Sequence, residues 1–183
     1  MNEQRHILRR AFPSSIVDKV NDVLNIMDLD STPGPEGRFC ALVGNETLEI
    51  PYRVYYKESN LEAGEALPSV QGEILNCLFT RHHNGYIREK CARRIITSDN
   101  AWVLPYIFRL LGEYVVEILY VMERNLGKLN MDACREFLIS NREFYATTRQ
   151  RVVSYWNCYY RRQYPKTDDY VGFKIVRFFD QFL

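Results

Sequence analysis

The sequence predicts an α+β fold, predominantly α-helical, in which an N-terminal helix and a β-hairpin pack on a helical bundle or short helical stack. Three observations carry this expectation. Residues 38 to 56 alternate in a strand-like way around Gly44-Asn45. From residue 69 onward the apolar residues recur at helical spacing, with no further strand signal. Finally, 46% hydrophobic and 26% charged residues in 183 read as globular, not disordered or fibrous.

Taken in order, "SSIVDKVNDVLNIMDL" (14 to 29) sets Ile16, Val20, Val23, Leu24 and Met27 on one side, behind Ser14-Ser15 and ahead of the breaker run "DSTPGPEG". The hairpin follows, with strands expected near 38 to 43 and 47 to 56. Pro51 has no N–H to give a ladder, which puts the second strand at an edge or a bulge. "KESNLEAGEALPS" reads as a polar connector. Helices are expected at about 69 to 81, 86 to 97, 102 to 126, 131 to 139, 142 to 163 and 169 to 181. Their breaks fall at Asn84-Gly85, Ser98-Asp99-Asn100, Gly127, Ser140-Asn141 and Pro165, residue types that cap or interrupt helices. The length suits one domain over 1–183, an N-terminal part (1–67) followed by a helical body (68–183).

The segment 102 to 126 is apolar around most of its circumference, with Arg109, Glu113, Glu117 and Arg124 as a narrow polar stripe, so it is expected at the centre of the bundle. It is long enough for a bilayer, but each of its charges at mid-membrane would cost about 2.5 to 3.5 kcal/mol. The expectation is a buried helix and no membrane partner.

The net charge of +1 conceals an asymmetry: residues 1 to 67 carry 7 Lys/Arg against 11 Asp/Glu, and residues 68 to 183 carry 17 against 12. The basic part permits a nucleic-acid partner without demanding one. Cys40, Cys77, Cys91, Cys134 and Cys158 are odd in number and contain no C-x-x-C pair, which reads as reduced, buried thiols. "MNEQRHILRRAF" lacks an apolar stretch of signal-peptide length. Together these lead to the expectation of a cytoplasmic protein.

The most chemical stretch is "TRHHNGYIREKCARR" (80 to 94), which holds His82 and His83 beside Arg81, Arg88, Lys90, Arg93 and Arg94. Histidine suits a general base or a metal ligand because its ordinary pKa is about 6.5. One catalytic reading therefore pairs His82 or His83 with Glu113 or Glu117, as in a metal-dependent hydrolase. Against it, adjacent helical residues point about 100° apart, and neither H-E-x-x-H nor E-x-x-H spacing accompanies the pair. The favoured reading is a helix junction with a solvated basic face, without catalytic residue, metal or cofactor.

The run "ILNCLFTRHHNGYIREKCARRII" (74 to 96) places Asn84 in a turn, Ile87-Arg88 at the head of a second helix, and the small residues Cys91 and Ala92 on its inner side. This resembles one unit of a HEAT-like helical repeat. The resemblance implies a helical surface used for protein binding. It also implies that Arg88 reaches an acidic group or a carbonyl on a neighbouring helix.

Near the C-terminus, "RVVSYWNCYYRRQYPKTDDYVGF" (151 to 173) interleaves tyrosines with arginines. Phe144, Thr148, Val152, Tyr155, Trp156 and Tyr159 fall at helical spacing and are expected as a core stripe. Tyr160, Arg161, Arg162 and Tyr164 then form the candidate recognition patch, joined by Arg81, His82, His83 and Arg88 from the first stretch. In the last helix, Phe173, Val176, Phe179 and Phe182 share a side that must dock on the body, or else on a second copy. Phosphate-binding glycine loops and the G-x-S-x-G elbow are absent. The expected function is thus a non-enzymatic interaction or adaptor protein, acting as monomer or homodimer on another protein. The alternative is an RNA or single-stranded DNA binder, with a nuclease as its catalytic form.

Overall fold

A computed structural model describes residues 3–183, the side chain of Glu65 apart. The fold is α+β and mostly helical, with one two-stranded antiparallel sheet among the described residues. The chain divides into two compact units, Met1–Ile95 and Ile96–Leu183. Among the described residues no helix is long and apolar enough to cross a membrane.

The first unit opens with α1 (Glu3–Arg9) and α2 (Val17–Ile26). α1 is a helix that the periodicity did not predict, since it buries only Leu8. It is fastened to α2 by Arg9 Nε donating to Asn21 Oδ1 at 2.6 Å and Arg5 Nη1 to Asn25 Oδ1 at 2.9 Å. α2 buries Val20, Val23 and Leu24, as its three-and-four spacing requires. The hairpin pairs β1 (Glu36–Val43) with β2 (Glu46–Arg53), Phe39 opposite Ile50 and Ala41 opposite Leu48, all four buried. Its turn places Gly44 at φ +58, the left-handed backbone a tight two-residue connection needs at its first position. Pro51 is tolerated because every strand of a two-stranded sheet is an edge. β2 ends at Arg53, short of the expected residue 56, because Val54 leaves the hairpin to pair with His82.

The expected connector contains α3 (Ser59–Ala63), one further short helix the sequence did not announce. α4 (Ser69–Phe79) and α5 (Gly85–Ile95) then pack as an antiparallel pair, with α2 against α4. Ile74, Leu75, Cys77, Leu78 and Phe79 of α4 and Ile87, Cys91, Ala92 and Ile95 of α5 are buried in the interior of the unit.

In the second unit the expected single helix over 102 to 126 is two helices, α6 (Leu104–Leu111) and α7 (Val116–Asn125). All eight residues of α6 are buried, so the central placement holds for this half. Pro105 sits in its first turn, where the missing N–H removes no helical bond. Gly112 then closes α6, and Val115 is extended at φ −85, ψ 104. Glycine and the β-branched pair Val115-Val116 weaken the helix here, so a partner elsewhere in the unit can break it at low cost.

α8 (Met131–Ser140) starts on an Asn130 side chain that accepts the Ala133 N–H at 3.1 Å. α9 (Arg142–Tyr155) continues into a π-wound turn, Trp156–Tyr160, whose signature is Arg161 N–H donating to Trp156 O at 2.8 Å. α10 (Val171–Asp180) docks on α7 and α9 through Val171, Ile175, Val176 and Phe179. Gly172 permits that approach: a Cβ there would lie 2.6 Å from Tyr170 Cε1 and 2.9 Å from Val152 Cγ1. Phe108 of α6 is the centre of this core, in ring contact with Phe137, Tyr145 and Phe179.

The expectation of buried thiols holds for Cys77, Cys91 and Cys134, whereas Cys40 and Cys158 are exposed. Cys40 alternates with Phe39 and Ala41 and so takes the outer face of β1.

Candidate functional site

In the first unit, the stretch 80 to 88 is a backbone junction. The chain leaves α4 through Thr80 and runs parallel to the segment after β2: Val54 N–H donates to Arg81 O at 3.0 Å, and His83 N–H to Val54 O at 3.1 Å. His82 closes the junction from within. Its Nε2 donates to Tyr56 O at 2.8 Å, while its Nδ1 accepts the Asn84 N–H at 3.1 Å, which assigns a neutral ring protonated on Nε2. Asn84 in turn accepts the Tyr86 N–H at 3.0 Å and starts α5.

Arg88 is fully buried, and its Nη1 donates to His82 O at 2.9 Å and His83 O at 2.8 Å. Both of these carbonyls belong to the turn before its own helix. Arg81 is equally buried: it donates to Thr80 O and to Tyr52 O, each at 3.1 Å, with its guanidinium 5.9 Å from the Phe39 ring centre. The expected solvated basic face is thus limited to Lys90, Arg93 and Arg94, because the two longest-buried cations of the stretch each hold backbone carbonyls.

His82 stacks on Phe79 at 5.6 Å and lies 4.3 Å from the His83 ring, which is exposed and stacked on Tyr55. Burial lowers the His82 pKa, and the neighbouring His83 and Arg88 act in the same direction. A general base needs a free lone pair, and the Nδ1 lone pair of His82 is occupied by the Asn84 amide. Burial also pushes the Cys77 thiol well up and that of Cys91 to about 12, so neither is a thiolate at neutral pH. Among the described residues no three His, Cys, Asp or Glu side chains are grouped to hold a metal ion.

The second unit offers an exposed arrangement instead. Where α6 and α7 part, the Tyr160 hydroxyl donates to Tyr114 O at 2.6 Å. One side chain from the π-wound turn therefore holds the backbone of the helix break. Tyr160 stacks on buried Tyr170 at 5.3 Å, and Tyr164 joins Tyr120 hydroxyl to hydroxyl at 2.9 Å. Trp156 Nε1 donates to Tyr164 O at 2.9 Å, and Arg161 lies over the Trp156 ring at 5.6 Å. Burial raises the Tyr160 and Tyr170 phenols, and the bond to Tyr164 raises Tyr120 to about 12.

On the outside of this scaffold stand three tyrosine rings. Tyr114 and Tyr155 are 5.9 Å apart, Tyr114 and Tyr159 6.1 Å, Tyr155 and Tyr159 6.1 Å. Tyr159 is 64% exposed and Tyr114 42%, with Tyr155 half-buried between them. The expected core stripe of α9 is correct for Thr148 and Val152 but not for Tyr159. The extra residue of the π turn rotates Tyr159 outward and Tyr160 inward relative to a continuous α-helix. Tyr114 was absent from the sequence-based candidates; the signal that could have found it is Gly112 followed by two β-branched residues inside an apolar run.

Replacing Tyr160 by Phe should expose this construction. The loss of the hydroxyl that holds Tyr114 O is expected to lower the stability of the second unit by about 1 kcal/mol, seen as an earlier transition in Trp fluorescence. Both tryptophans, Trp102 and Trp156, belong to this unit.

The polar stripe Arg109, Glu113, Glu117 does not lie along one helix. Arg109 and Glu113 are buried on either side of Gly112, whose missing side chain leaves room for the Arg109 guanidinium and the Arg151 stem, while Glu117 is exposed in the first turn of α7. His82 and His83 belong to the first unit, and Glu113 and Glu117 to the second. Compared with protein-family models, curated proteins and solved structures, the chain matches none.

Proposed function

We propose that this protein is a non-enzymatic interaction module that presents the helical surface around Tyr114, Tyr155 and Tyr159 to a partner protein. The supporting observation is the exposed triangle of tyrosines, held on a scaffold of interlocked hydroxyls and rings. Tyrosine and arginine are the side chains that most often dominate binding energy at interfaces, because they bring large area with little rotamer freedom to lose. Exposed Arg161 and Arg162 follow the patch directly in sequence. An adaptor role in the cytoplasm, as monomer or homodimer, and the HEAT-like description of residues 74 to 96 form part of this proposal.

The test is affinity purification of the full chain against its Tyr114→Ala/Tyr159→Ala double variant. The wild type should retain a stoichiometric protein partner, and the double variant should lose it by at least about tenfold, with its Trp unfolding transition little changed. Failure to recover a partner, or undiminished recovery by the variant, rejects the reading.

A second reading, binding of RNA or single-stranded DNA, is favoured by one particular observation. Residues 144 to 167 contain five Lys/Arg and no Asp/Glu, around rings whose faces could stack bases. Retention on oligonucleotide resin that weakens steeply with salt and needs the same tyrosines would select it.

A further inference from the structure

We propose that the junction at residues 80 to 84 is an acid-released clasp, in which protonation of His82 detaches the Val54–Tyr56 segment from the turn between α4 and α5. The inference is independent of the tyrosine surface. It rests on how both ring nitrogens are used. Nε2 already carries the proton that Tyr56 O accepts at 2.8 Å. A second proton must go to Nδ1, which faces the Asn84 N–H at 3.1 Å. Two donors then confront each other, and one bond of the junction must open.

The surroundings oppose the cation. From α5 the buried Arg88 guanidinium lies on the carbonyls of His82 and His83. From α4 the ring meets Phe79, which offers no charge, while Arg81 is buried next in sequence. Within the turn the His83 ring is 4.3 Å away. Against this balance, Tyr56 O favours the cation through its bond to Nε2, an effect smaller than that of burial, while Tyr55 is stacked on His83. The carboxylate of Glu58, which is exposed and accepts the Asn84 Nδ2 at 3.3 Å, favours protonation of His82 as a lesser effect.

The sign follows from the lowered pKa of the folded state. His82 contributes full stability above the ordinary histidine value of about 6.5, and this contribution is lost as the pH falls below it. The bond in direct conflict is that of the Asn84 N–H to Nδ1, and the pair of bonds that Val54 makes with Arg81 and His83 would open as the segment is released. Release would uncover Tyr56 and Phe79, whose rings are 6.4 Å apart beneath the junction.

Amide hydrogen exchange of the full chain, corrected for the intrinsic pH dependence, measures this directly. Between pH 7.5 and pH 5.0 the protection of the Val54, His83 and Asn84 amides should fall severalfold, up to the limit of roughly 30-fold that one site titrating from about 6.5 allows. The amides of Leu75 and Leu78 in α4 should keep their protection. His83→Gln should leave the fall intact. His82→Asn keeps an acceptor where Nδ1 was, and His82→Gln keeps a donor where Nε2 was; in either variant the protection should no longer depend on pH in this range. The proposal is overturned by flat protection in the wild type, by a fall shared equally with α4, by a fall that persists in both His82 variants, or by its loss in His83→Gln. The wild type and His83→Gln carry the test even if a His82 variant does not fold.

Discussion

Substituting Phe108 by Ala should lower the stability of the second unit by about 3 to 5 kcal/mol, the range for deleting a fully buried phenyl ring from a packed core. Phe108 has no exposed surface, and it touches three other aromatic rings. It stacks on Phe137 of α8 at 5.2 Å and meets Phe179 of α10 edge-on at 4.7 Å and Tyr145 of α9 at 6.3 Å. The void left by Ala would thus remove contacts to three helices at once, and none of them can close it without leaving the other two. Phe108→Leu, which keeps most of the volume, should lose about 1 to 1.5 kcal/mol. Trp fluorescence in a urea titration reads the effect, because Trp102 and Trp156 both lie in this unit. A loss below about 2 kcal/mol for Phe108→Ala would mean that α6 is not the centre of this core.

In the first unit the largest expected effect comes from Arg88. Arg88→Met keeps the apolar stem and removes the donors that hold His82 O and His83 O. Hydrogen bonds to a charged group contribute about 1.5 to 3 kcal/mol each, and relief of the buried charge offsets part of the loss. The expected net loss is about 3 kcal/mol, followed by far-UV circular dichroism and by hydrogen exchange of the α4 and α5 amides. Arg88→Lys should recover less than half of it, since a compact ammonium on a flexible stem fits two adjacent carbonyls less well than a planar guanidinium. A loss under about 1 kcal/mol for Arg88→Met would show that the turn is held by other bonds.

Much of this fold was legible because local chemistry and tertiary structure agree. Gly44-Asn45 joins two alternating runs, and the short turn fixes the register that buries Phe39, Ala41, Leu48 and Ile50 together. α2, α4, α5 and α10 follow from apolar spacing between capping and breaking residues. α1 and α3 were missed because helices of one or two turns draw little on periodicity and depend on what they pack against.

The break at 112 to 115 was missed for a different reason. A lone glycine in an apolar run costs a helix only about 1 kcal/mol, and the side chain that holds the broken backbone at Tyr114 O, Tyr160, is 46 residues further along the chain. The same long reach hid the roles of the basic residues. Charge patterning reads Arg81 and Arg88 as solvated, yet Arg81 finds its carbonyl on Tyr52, 29 residues back, and both sink into the unit. The histidine pair falls between α4 and α5, where the turn residues Asn84-Gly85 end one helix and start the next, but the hydrogen bonds of His82 to Tyr56 and Asn84 depend on tertiary structure. Of the candidate site, Tyr160 and Tyr164 are present as a supporting layer and Arg161 and Arg162 are exposed, while the rings presented to solvent, Tyr114 and Tyr159, were concealed by the helix break and the π turn.

The central claim is that the most chemical-looking stretch of this chain is architecture: His82 spends both nitrogens on the backbone. Long-range proton–nitrogen NMR of the His82 ring tests this most directly, recorded near pH 7.5 with and without one equivalent of zinc. The account predicts a neutral ring protonated on Nε2, with Nδ1 as a hydrogen-bond acceptor and no change on adding the metal. A cationic ring at that pH, or a zinc-induced shift shared by the His82 and His83 nitrogens, would contradict it.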